Sequence, residues 1–150
     1  MSSRVAVAVL AVGPVLWFAL VALSPVLPPL LGAAVYGLGG IICHQLPDRS
    51  FHWHGAQLAV CARCTGIYLG ACASIVVAPL RPSVSARWIR PPARIAWLLG
   101  IAAVPMAVTL VAEWTGLWAP ASALRAATGV LVGAAGAVVV TAAVRCDKLR

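Results

Sequence analysis

The sequence predicts an all-α membrane protein of about four transmembrane helices plus one short re-entrant or interfacial helix, and three observations carry that expectation. Hydrophobic residues make up 63% of the 150 residues and charged residues only 9%. Soluble domains carry about a quarter charged residues; this chain has too few to cover a water-facing surface, whereas a surface facing hydrocarbon needs none. Four nearly uncharged stretches approach or exceed the ~18–20 residues that cross a bilayer. The basic residues behind the formal net charge of +8 gather mainly at Arg81, Arg87, Arg90 and Arg94 and at Arg145, Lys148 and Arg150. Basic clusters between apolar spans follow the positive-inside rule. The expected partner is therefore the lipid bilayer, and no nucleic acid is expected.

The length suits one domain, a single integral membrane domain over residues 1–150. The first stretch, residues 5–23, is uncharged and holds Gly13-Pro14 near its middle. Met1-Ser-Ser-Arg4 before it resembles the start of a signal peptide. The apolar run is longer than an h-region of about 7–15 residues and no small-x-small cleavage site follows, so a retained first span is expected. Residues 31–42 are apolar but number about a dozen, too few to cross. They follow the Pro-rich Ser24-Pro-Val-Leu-Pro-Pro-Leu30 and are expected as the short re-entrant or interfacial helix.

Residues 56–80 form the second expected span, apolar except for Gln57, Arg63 and a few hydroxyls. Residues 95–112 form the third, with Pro105 inside, and residues 126–144 the fourth, rich in Gly and Ala. Proline is tolerated in such spans because neighbouring helices satisfy the freed carbonyl. Gly66-x-x-x-Gly70 and Gly129-x-x-x-Gly133 each set two small residues on one helical face, which permits close backbone approach. The positive-inside rule puts the basic loop 81–94 and the C-terminus in the cytoplasm of a multi-pass cell-membrane protein. The segment from Cys43 to about Val60 then lies on the outer face.

Polar chemistry concentrates there. Three of the five cysteines and all three histidines lie between Cys43 and Cys64, in a chain with only three acidic residues. Cys61 and Cys64 are three apart, so at a helix start both sulfurs point the same way. The helix N-terminus and Arg63 both favour thiolate there. His52 and His54 alternate with Phe51 and Trp53, the period of an extended strand ending at Gly55. His44 is adjacent to Cys43, and both reach one centre only from a helix end. Cys43, His44, Cys61 and Cys64 are thus the expected metal ligands, a set suited to zinc or another transition metal. The same cysteines also fit a membrane thiol–disulfide oxidoreductase, because an outer compartment is oxidising. A third reading is a structural or partner-binding subunit whose loop is stapled by a disulfide. Arg49 and Arg63, with His52 and His54, are the supporting polar residues of the cluster. Glu113 and Arg125, at the outer ends of the third and fourth spans, are expected to approach each other or another charged group of the cysteine site, because isolated charges at membrane depth are costly. Cys72 is expected as a small buried hydrophobe and Cys146 as a free cytoplasmic thiol.

Cys43-His-Gln-Leu-Pro-Asp-Arg-Ser-Phe51, followed by Cys61-Ala-Arg-Cys-Thr-Gly-Ile-Tyr68 and Gly70, resembles the hallmark of a family of small prokaryotic integral membrane proteins defined by a domain of unknown function. The resemblance covers roughly residues 35–135. It implies an acidic residue, usually Asp, in the third span, where Glu113 stands. It further implies a Ser-Asn-x-x-Arg-x-x-Thr-Gly motif, matched by Ser122, Arg125, Thr128 and Gly129 with Ala123 in place of the Asn. It implies membrane class and a choice of residues, and no activity.

Overall fold

Proline and glycine punctuate the first third of the chain, and the elements follow them. A computed structural model describes residues 3–77 and 92–147, with the side chains of residues 12–77 and 93–143. Helix α1 (Ser3–Ala22) ends in a 3-10 turn at Ser24–Val26. Helix α2 (Pro29–Ile42) opens on Pro29, which costs no hydrogen bond at a first helical position. Its 14 residues reach about 21 Å, short of a ~30 Å hydrocarbon core. The expected short helix is therefore present. A second 3-10 turn (Pro47–Arg49) leads into strand β1 (Ser50–Trp53), which pairs antiparallel with β2 (Ala56–Cys61). Helix α3 (Ala62–Val77) follows directly, then α4 (Pro92–Trp114) and α5 (Ser122–Asp147).

Two expectations change here. The chain is mostly helical, with five α-helices among the described residues, but it also carries a two-stranded hairpin. Residues 56–61 belong to that hairpin, so the helix expected from residue 56 begins at Ala62. The physical cause is at the turn. His54 and Gly55 both have positive φ, 49° and 81°, the geometry of a two-residue turn whose twist matches a hairpin. His54 is thus a turn residue, and the expected shared strand face for His52 and His54 does not form.

Side chains then cap the free edge of β2. Ser24 Oγ accepts from the Ala59 N–H at 3.0 Å, Gln45 Nε2 donates to the Ala59 carbonyl at 2.7 Å, and the Tyr36 hydroxyl donates to the Gln57 carbonyl. Buried strand edges must be satisfied in this way. Gly39 of α2 lies so close to the Ala59 carbonyl that a Cβ there has no room. Around this contact sits a core of Val21, Val35, Cys43, Ala59 and Val60, with Trp17, Tyr36 and Tyr68 packed on it. Trp17 meets Tyr68 edge-on at 6.2 Å and packs on the core. Cys72 is buried as expected, and its thiol donates to the Pro14 carbonyl at 3.3 Å.

Helices α4 and α5 contain the two apolar stretches long enough to cross a membrane, Ala93–Trp114 and Ser122–Ala143. Only 6% of the first is buried, whereas the core helix of a soluble protein would be mostly covered. Its exposed residues include Trp97 at 72%, Ile101 at 66% and Val108 at 59%, an apolar surface of the kind that marks a membrane or partner contact. Helix α5 packs chiefly on α3 through the two glycine pairs. Gly66 and Gly70 face the backbone of Ala126 and Val130, while Gly129 and Gly133 face that of Arg63 and Ile67. The two small-residue motifs are halves of one contact. The basic cluster expected within 81–94, apart from Arg94, lies outside the described residues, as do residues 148–150 and the side chain of Cys146.

Candidate metal centre

Each cysteine reaches the centre from a different local structure. Cys43 caps α2 in an extended conformation, its N–H still bonded to the Gly39 carbonyl at 2.9 Å. Gln45 then turns the chain with φ of 50°, a left-handed conformation uncommon outside glycine. Its amide holds that turn by donating to the carbonyls of Tyr36 at 2.8 Å and Ala59 at 2.7 Å. The Gln57 amide in return donates to the Gln45 carbonyl at 2.6 Å. Cys61 is the last residue of β2, and Cys64 lies in the first turn of α3.

The result is convergence: the three sulfurs lie within 4.8 Å of one another. Cys43 Sγ is 7% exposed as part of its residue and accepts backbone N–H groups from Cys61 at 3.2 Å and Gln45 at 3.5 Å. The hydrogen bond from the Cys64 thiol draws the Cys61 pKa down to about 5 against the opposing effect of burial, helped by backbone N–H groups and the Cys43 thiol. A depressed pKa means thiolate persists as pH falls, down to that value. In metal-stripped protein, iodoacetamide should therefore modify Cys61 at half its maximal rate near pH 5. A midpoint near the ordinary thiol value of about 8.5, read by peptide mass spectrometry, would contradict this.

Beside the sulfurs lies an ionic cluster. Glu113, in the last turn of α4, is only 5% exposed in its side chain and meets three guanidinium groups. Arg63 Nη2 donates to Oε2 at 2.6 Å, while Arg125 Nη2 and Arg49 Nε both reach Oε1 at 2.9 Å. Arg125 Nη1 also donates to the Asp48 carbonyl at 3.2 Å. The expected approach of Glu113 and Arg125 is present, with two more arginines than a simple pair requires. Thr128, from the expected Thr-Gly match, is buried and bonds the Arg125 carbonyl at 2.9 Å.

A cavity of about 370 Å³ joins the two groups, lined among others by Cys43, Cys61, Cys64, Arg49, Arg63 and Arg125. His44 is exposed and lines the same cavity, but its ring nitrogens are not among the atoms that converge within 4.8 Å. His52 and His54 are exposed on the hairpin and do not line it. Sequence reasoning missed Gln45, Gln57, Tyr36 and Ser24, which hold the cysteine segments in place. Polar residues flanking an otherwise apolar run were the available signal.

A family described as predicted membrane protein (DUF2085) matches residues 43–139 of the chain. An uncharacterized protein, MJ1492, of Methanocaldococcus jannaschii is 37% identical over 103 residues, which cover 69% of this chain and 64% of the relative. An uncharacterized protein of Methanothermobacter thermautotrophicus is 51% identical over 41 residues, 27% of this chain and 37% of that one. The match therefore spans less than two thirds of either relative's own length. No solved structure matches the chain. The chain belongs to the predicted membrane protein family that its motifs resemble.

Proposed function

We propose that this member of a membrane-protein family spans the bilayer with α1, α3, α4 and α5 and binds a transition metal, zinc in the first place, at its outer face. Cys43, Cys61 and Cys64 supply three thiolates. Zinc takes sulfur at about 2.3 Å in tetrahedral geometry, which puts sulfurs roughly 3.8 Å apart. The observation that carries the reading is the approach of three sulfurs within 4.8 Å from a helix end, a strand end and a helix start. His44, next to Cys43 at the cavity, or a water molecule takes the fourth position. The orientation follows from charge: the site sits at the start of α3, the end of α4 and the start of α5, the helix ends opposite those that the chain joins to the basic segments 81–94 and 145–150, which the positive-inside rule assigns to the cytoplasm.

Elemental analysis of the purified chain, paired with a thiol titration, tests the reading. One zinc per chain is expected, with three thiols becoming reactive only after chelation, and Cys43→Ser should lower zinc affinity at least about tenfold. The second reading is a thiol–disulfide oxidoreductase, favoured by the acidic Cys61 beside Cys64. Metal-free protein with a reducible Cys61–Cys64 disulfide would establish that reading in place of the first.

A further inference from the structure

The ionic cluster carries more positive charge than its one carboxylate balances. Arg49, Arg63 and Arg125 all meet Glu113, a formal excess of two. Three thiolates around a divalent metal carry a formal charge of −1; that step of the count rests on the metal reading proposed above. The shared cavity then keeps one net positive charge. Asp48, which is exposed, meets Arg125 through its backbone carbonyl. His44 can only add positive charge when it is protonated.

Donors remain as well. Arg63 and Arg125 are 7% and 6% exposed, and the Nε of each has no hydrogen-bond partner among the described residues. Arg49 is different: its side chain is 35% exposed at the cavity rim, it meets Glu113 through Nε, and among the described residues its terminal fork meets no other acceptor. A planar guanidinium fork matches the oxygens of phosphate and carboxylate. The cavity volume of about 370 Å³ falls within the range of small-ligand sites.

We propose that this cavity binds a small oxyanionic group such as a phosphate, between the Arg49, Arg63 and Arg125 guanidinium groups and the three cysteines. The group belongs either to a free anion or to a lipid headgroup. Its oxygens take the Arg49 fork and neutralise the residual charge.

The full chain in neutral detergent, zinc-loaded and in parallel metal-stripped, is dialysed against radiolabelled inorganic phosphate and separately against a short-chain phosphatidic acid. Saturable binding of one probe to the zinc-loaded chain is expected. Arg49→Gln should weaken it about tenfold or more, the loss of one charge-assisted pair. Arg94→Gln removes an equal charge at the other end of α4, about 28 Å away, and should leave binding unchanged. Retained zinc shows that the Arg49 variant keeps its fold. Phosphate binding marks a free anion, and phosphatidic acid binding without phosphate binding marks a headgroup. Binding that Arg49→Gln leaves intact, or no binding of either probe, overturns the proposal. Arg49-dependent binding in a chain that takes no zinc would keep this site and sink the metal reading; zinc without either probe would do the reverse.

Discussion

Replacing Glu113 with glutamine is expected to destabilise the folded chain by about 3–5 kcal/mol, the cost of stripping a buried charge of its partner. The carboxylate is 5% exposed and lies against Arg63 and Arg125, whose side chains are 9% and 7% exposed. Neutralising it leaves three guanidinium groups together without the carboxylate that pairs them, two of them largely buried. Glutamine keeps the size and one acceptor oxygen, so the loss reports charge. Glu113→Asp keeps the charge on a side chain one methylene shorter and should retain most of the stability. Arg49→Gln removes the partner that is 35% exposed, where solvent screening limits an ion pair to about 0–1 kcal/mol. Denaturant titration in detergent, followed by tryptophan fluorescence, measures all three variants. A Glu113→Gln midpoint equal to that of the wild type would show that the arginines do not depend on this carboxylate.

The second large effect is steric. Gly133→Ala should separate α3 from α5, because its Cβ would run into the Ile67 carbonyl. Gly66→Ala should act alike from the other helix, against the Ala126 carbonyl. Backbone has no rotamer to yield with, so overpacking of about 1–3 kcal/mol is the minimum expected. The consequence reaches the site: α3 carries Arg63 and Cys64, and α5 carries Arg125, so parting the helices parts the arginines that share Glu113. Gly136→Ala is the matched control, since nothing lies within 4 Å of its Cβ position. Thermal unfolding and zinc content together check the contrast. Equal behaviour of Gly133→Ala and Gly136→Ala would contradict the close helix contact.

Much of the site was legible in the residues themselves. In a chain with 9% charged residues, each ionisable group away from the basic segments carries a cost, and that cost points to function before any fold is known. Cys61 and Cys64 were paired by spacing alone, and the glycine motifs named the faces of α3 and α5 that meet. Residues 56–61 misled because an apolar, alternation-poor run reads equally as the start of a helix or as a buried strand. Its fate was decided by partners far away in sequence: Ser24, Tyr36 and Gln45 satisfy its backbone, and the turn at His54 and Gly55 sends it back along β1.

By itself the sequence determined the membrane class, the short helix after the proline-rich turn and the set of residues able to do chemistry, because composition, length and residue type act locally. Beyond the Cys61–Cys64 spacing and the Glu113–Arg125 approach, tertiary structure decided which of them meet. Cys43 joins Cys61 and Cys64 because one glutamine amide bridges α2 and β2, and Arg49, Arg63 and Arg125 converge because a single buried carboxylate is the nearest counter-charge for all three. Both depend on hydrogen bonds and ion pairs between segments far apart in sequence, 64 residues from Arg49 to Glu113 and 77 from Asp48 to Arg125. Such contacts leave no periodicity in the chain, since their geometry exists only once the helices have packed.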